Sequence, residues 1–112
     1  MSDRWNIVFM QGAAFKQSIT VAGVDDIADA VEWTLRFAMP NEAPFLIATT
    51  TNGMIVPTAT ANTKVFTVPA SVTELFAAGN GRFDFEIEFP SNDIRRYVAA
   101  SSCSIIPQIG GI

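Results

Sequence analysis

The sequence predicts an all-β fold, an immunoglobulin-like β-sandwich of seven to eight antiparallel strands with one short helix near residues 71–78. Three observations carry that expectation. Apolar and polar residues alternate strictly in several runs, above all in Arg82 to Phe89, RFDFEIEF, where Phe83, Phe85, Ile87 and Phe89 are separated by acids. Turn residues recur about every 8–12 positions, the spacing of a sandwich of short strands. Only ASVTELFAAG carries a helix signature, with Ser71 as N-cap, Glu74 three residues later and Gly79 as a stop.

In chain order, Trp5, Ile7 and Phe9 alternate into a first strand that ends at Gln11-Gly12. Phe15 to Val21 gives a second, with Phe15, Gln17, Ile19 and Val21 on one side, and Gly23 ends it. The segment VDDIADAVEWTLRF fits both periods, but Val31, Trp33, Leu35 and Phe37 alternate with Glu32, Thr34 and Arg36, so a strand is expected over Val31 to Phe37. Phe45 to Thr51 follows. Asn52-Gly53, the pair that best tolerates a type I′ turn, predicts a hairpin back through Met54-Ile55-Val56 to Pro57.

Lys64 to Pro69, RFDFEIEF and Ile94 to Ile106 complete the strands, the last expected to run through the core. A four-residue loop after Phe89 would set Glu88 opposite Arg95, and a five-residue loop would set it opposite Arg96, so an arginine is expected beside Glu88 in either register. Gly79-Asn80-Gly81 reads as a turn before the strand. The 112 residues make one domain, 1–112, with an apolar tail over residues 105–112.

Composition narrows function further. The chain is 49% hydrophobic with nine Phe, more apolar surface than so small a domain can hide, which predicts a homo-oligomer or assembly with other proteins. Eleven acids against seven bases give a net charge of −4 without a basic patch, an electrostatic footprint that does not suit nucleic acid. There is no histidine and one cysteine, Cys103, so an intramolecular disulfide, the common zinc, haem and iron–sulfur ligand sets, and Ser-His-Asp or Cys-His chemistry are all excluded. No run reaches the ~18 apolar residues of a membrane span, and no signal-peptide pattern opens the chain, so a cytoplasmic product is expected.

Five groups of residues are candidate sites. Asp84, Glu86 and Glu88 share one strand face with Cβ atoms about 6.5–7 Å apart, a spacing compatible with paired-carboxylate hydrolysis. The alternation alone demands polar residues there, because Phe83, Phe85, Ile87 and Phe89 bury the other face, so they are expected as a wet surface. Asp25, Asp26 and Asp29 contain no calcium-loop pattern and are expected to be solvated. Cys103, among serines, reads as a small buried hydrophobe. Trp5 and Trp33 are expected in packing rather than as a sugar platform. Gly79-Asn80-Gly81 has no helix after it to hold phosphate. No catalytic, cofactor-binding or metal residue is assigned.

Taken in order, WNIVFMQGAAF, EWTLRF, TTTNGMI, VPASVTELFAAGNGRFDFEIEF and IRRYV closing on SIIP resemble small phage and prophage structural proteins encoded among tail and baseplate genes. The shared markers are Gln11, Gly12 and Phe15; Thr51, Asn52, Gly53 and Ile55; and Gly79, Phe83, Asp84, Phe85 and Glu86. Ala99-Ala100-Ser101 stands where that group has glycine. The resemblance implies a virion component: a non-enzymatic immunoglobulin-like adaptor in the tail, baseplate or fibre-attachment region, binding other virion proteins. Capsid decoration and host-surface or carbohydrate binding are its alternatives. The apolar tail and the residues before Trp5 are expected to make the contacts between subunits.

Overall fold

The computed structural model describes residues 5–107. Most of the apolar tail and the residues before Trp5 therefore lie outside the described residues. Eight strands form two sheets: β1 (Ile7–Met10), β2 (Phe15–Thr20), β3 (Glu32–Ala38), β4 (Pro44–Thr49), β5 (Ile55–Pro57), β6 (Thr63–Val68), β7 (Gly79–Phe89) and β8 (Asp93–Ile106). One sheet has the order β1-β8-β7-β3-β4 and the other β2-β6-β5. The architecture is an immunoglobulin-like β-sandwich.

The alternation that predicted the strands also fills the space between them. Ile7 and Phe9 of β1, Trp33, Leu35 and Phe37 of β3, and Phe83, Phe85, Ile87 and Phe89 of β7 all point inward and are buried. From the facing sheet Ile19, Ile55, Phe66 and Val68 meet them. Phe37 is the hub of the rings, with centroids 5.2 Å from Phe83, 5.3 Å from Phe9 and 5.6 Å from Phe66. Cys103 is buried in the same cluster, as the sequence indicated.

All neighbouring strands run antiparallel except β1 and β8, which pair in parallel from Ile7↔Cys103 to Met10↔Ile106. The Asn52-Gly53 hairpin does not form. β5 pairs with β6 in the other sheet and not with β4, so this segment is a corner between sheets. The Asn52 side chain accepts from the N–H groups of Thr49 and Met54, both at 3.0 Å, and donates to Ile47 O at 2.8 Å. Those bonds turn the backbone out of the sheet, and only Gly53 of the pair takes positive φ.

Positive φ at two consecutive residues occurs instead between β7 and β8, at Ser91 (68°) and Asn92 (60°), in a three-residue connection from Pro90 to Asn92 between the paired Phe89 and Asp93. Phe89 then faces Asp93, Glu88 faces Ile94 and Glu86 faces Arg96. The arginine expected at Glu88 therefore meets Glu86, because the loop is shorter than either register considered. Gly79, Asn80 and Gly81 belong to β7 itself and not to a turn before it.

The helix also differs from expectation. It is one turn, Ala70–Thr73 (α1), and Ser71 caps nothing. Pro69, whose fixed φ suits the position before a helix, starts the turn early. After it the N–H groups of Leu75 and Phe76 bond three residues back, to Val72 O and Thr73 O, so the chain tightens and the α-turn ends. Thr73 Oγ1 lies 2.9 Å from Ala13 O, and Gln11 Nε2 donates to Phe76 O at 2.6 Å, so the turn is tied to the β1–β2 connection.

Only the last part of β8 is core. Two register shifts against β7, beside Phe85, each leave an extra residue on β8, and its first ten residues are half-buried or exposed. In the first bulge Ala100 sits at φ 52°, where alanine is strained and glycine is not. Ala100→Gly is expected to stabilise the fold by up to about 1 kcal/mol. A melting temperature that falls in Ala100→Gly would contradict this account of the bulge.

Candidate functional surface

The outer face of β7 carries the three carboxylates, and each has a different neighbour. Glu86 is clamped between two guanidiniums: Arg36 Nη1 donates to Oε1 at 2.6 Å, and Arg96 Nε and Nη2 donate to Oε2 at 3.1 and 2.7 Å. Hydrogen bonds from Arg96 and then Arg36 hold its carboxyl below the usual carboxylate range. Asp84 accepts the Ala100 N–H at 2.7 Å and so latches the bulge. Glu88 lies across from Glu32 of β3, a like-charge pairing that adds no stability.

Chemically, Glu86 is placed opposite to what a general acid needs. A general acid at neutral pH requires a raised carboxyl pKa, whereas Glu86 is held ionised with both oxygens occupied. The arrangement braces three neighbouring strands. Because the folded pKa is the lower one, the unfolded chain takes up the proton first. The stabilisation is fully present above about pH 4.5 and is lost as pH falls through the depressed folded value. Glu86→Gln is expected to cost about 1 kcal/mol at pH 7, a modest figure because both arginines are more than a third exposed. It should also flatten the acid limb of the melting-temperature profile, and an unchanged limb would refute the assignment.

Of the three aspartates expected to be solvated, Asp25 and Asp29 are exposed, whereas Asp26 is partly buried and paired. Arg95 forks onto Asp26 at 3.2 and 3.0 Å, binds Asp93 at 2.9 Å, and lies 3.9 Å from the centre of the Phe89 ring. The Arg95 hydrogen bonds lower the Asp26 carboxyl pKa. This lock ties the β2–β3 connection, with its short 3₁₀ turn over Ile27–Asp29, to the tip of the β7–β8 hairpin. Among the described residues no three His, Cys, Asp or Glu side chains are grouped to hold a metal ion.

Neither tryptophan offers a flat platform. Trp33 is fully buried against Phe85, with Lys64 Nζ over its ring, 5.0 Å from the centre. Trp5 is half-buried and meets Phe83 and Phe85 edge-on at 5.1 and 6.0 Å. Burial pushes the Cys103 thiol pKa up, away from the reactive thiolate.

One concavity outside these groups was not legible in the sequence. Beyond the four residues that β1 covers, β8 has no described neighbour on its outer side, and β2 is one of the two edges of the smaller sheet. Between these edges lies a groove of about 990 Å³ floored by Trp5, Ile19, Phe85, Tyr97 and Val98, with Gln17, Ser18, Thr20 and Ser101 along its walls. None of its lining residues is an acid, a lysine or an arginine. A second hollow of about 330 Å³ lies between Met39, Phe45, Val72 and the exposed Leu75.

Fold and surface together define an immunoglobulin-like sandwich with a groove between an open edge of each sheet. No family model matches the sequence, and no curated protein matches it. Among solved structures the chain is similar to murine CRIg, at 5% identity over 92% of this chain and 92% of that one, with a TM-score of 0.49. It is similar to a glycoside hydrolase-like protein from Bacteroides vulgatus, at 16% identity over 91% of this chain and 16% of that one, with a TM-score of 0.46. For the extracellular domains 3–5 of Drosophila OTK the values are 11%, 91%, 31% and 0.38. The chain thus spans well under half of the Bacteroides and OTK structures.

Proposed function

We propose that this chain is a non-enzymatic structural protein that works by binding other proteins, as an adaptor in the tail, baseplate or fibre-attachment region of a phage particle. The observation that carries the binding role is the groove of the sandwich, where main-chain edges and aromatic side chains are left together at one surface. Exposed Ile47, Ile94 and Leu75 add apolar area that a solitary small domain would not need. The viral setting rests on the ordered turn and strand markers from Gln11-Gly12 to Asp84-Phe85-Glu86.

The testing experiment is to purify particles produced from the genome that encodes the chain, label it with antibody and locate the label by electron microscopy. Label at the tail or its fibres is the expected result. Label over the capsid would replace the adaptor role by head decoration. Absence of the chain from purified particles would overturn the virion reading altogether.

A further inference from the structure

The groove has two walls of different character. Along β8 the wall is irregular, because Ala100 sits in the left-handed region and two extra residues break the register around Phe85. Bulges of this kind block regular pairing by an incoming strand. Along β2 the wall is regular: six residues without bulge or proline, in unbroken register with β6 from Phe15↔Val68 to Thr20↔Thr63.

The direction of the free main-chain groups follows from one bond. Val21 N–H donates to Asn62 O beyond the end of β6, so Val21 faces β6. In an antiparallel ladder successive residues alternate between facing their partner strand and facing away, so Phe15, Gln17 and Ile19 also face β6. The N–H and C=O groups of Lys16, Ser18 and Thr20 therefore point to the open edge, where no described strand pairs with them.

We propose that β2 accepts an extended, uncharged segment of a different polypeptide as an added strand. That strand bonds to the main chain of Lys16, Ser18 and Thr20, and its alternate side chains enter the groove over Trp5, Phe85, Tyr97 and Val98. The edge supplies affinity without regard to sequence, and the pocket selects every second residue. Charge matching sets the class: a groove without an acid, lysine or arginine offers no counter-ion to a charged side chain, whose desolvation would go uncompensated. Lys16 is the one charged residue of β2, so an occupant longer than the groove meets a positive charge only at the Phe15 end. The inference rests on the protein-binding reading above and names its site and the chemistry of the partner.

A library of seven-residue peptides displayed on a carrier tests it. The library is selected on the wild-type chain and counter-selected on Ser18→Pro, which removes one outward N–H at an edge position that tolerates proline. Should Ser18→Pro fail to fold, Ser102→Arg takes its place, putting a charge and bulk on the opposite wall. The expected peptides alternate apolar with uncharged polar residues. Synthesised, the best should slow amide hydrogen exchange at Lys16, Ser18 and Thr20 at least tenfold and bind the variant at least tenfold more weakly.

Three outcomes overturn the proposal: no peptide surviving counter-selection, selected peptides dominated by charged residues, or binding that leaves those three amides exchanging at the free rate. Binding of maltoheptaose in the groove with the same amides unprotected would reassign it to neutral sugar. None of these outcomes bears on whether the chain is found in particles, so the two readings fail separately.

Discussion

Phe37→Ala is expected to cost about 3–5 kcal/mol, a large part of the total for a domain of this size. The ring is fully buried and lies within 5.2–5.6 Å of the Phe9, Phe66 and Phe83 rings, which come from three other strands and from both sheets. Removing it deletes the apolar burial and leaves a cavity whose walls are held by three separate ladders, so they cannot close in together. Aromatic pairing adds a further share beyond area. Phe45, at the rim beside Phe37 and Phe76 and only half-buried, is the comparison, and Phe45→Ala should cost less than half as much. Urea unfolding of the two variants measures both, and a Phe37→Ala loss below about 1 kcal/mol would show that the core does not centre on this ring.

Gly81→Ala is expected to be nearly as damaging through the opposite effect. A Cβ at position 81 would lie 2.6 Å from the Ala38 main-chain oxygen and 3.2 Å from Cys103 Sγ. The first contact cannot be relieved by a rotamer, because Ala38 is held in register with Arg82 across the same pair of strands. A loss of about 2–3 kcal/mol is expected from such overpacking. The double variant Gly81→Ala with Cys103→Ala separates the contacts: it clears the sulfur and leaves the carbonyl clash, so little stability should return. Full recovery would place the strain on Cys103 instead of the β3 backbone.

The sequence made legible what periodicity controls. Phe83, Phe85, Ile87 and Phe89 had to be interior once their neighbours were acids, and the structure buries all four. The same reasoning placed Trp33, Leu35 and Phe37 and left Asp84, Glu86 and Glu88 outside the core. What it missed depends on turns whose local chemistry outweighed the dipeptide rule. Ser91-Asn92 took the two positive φ values expected of Asn52-Gly53, and that shorter turn moved the arginine partner from Glu88 to Glu86. Arg36 as the second partner had a signal, since it shares the outward face of β3 with Glu32 and Thr34. The groove had none, because it depends on which strands end at a common side of the two sheets. That placement is a property of sheet order, and periodicity along one strand carries no information about it.

The parallel pairing of β1 with β8 has a consequence for how the chain reaches this structure. Ile7 meets Cys103 and Met10 meets Ile106, partners separated by nearly the whole described sequence. Every hairpin between them can form early and locally, but this ladder waits for closure of the longest loop in the fold, whose entropy must be lost before any bond across it repays the cost. On a ribosome, β1 emerges first and remains without its partner until β8 has cleared the exit. For that interval Ile7 and Phe9, fully buried at the end, lack one of their walls, so the newborn chain presents an aromatic-rich edge for longest at its oldest strand.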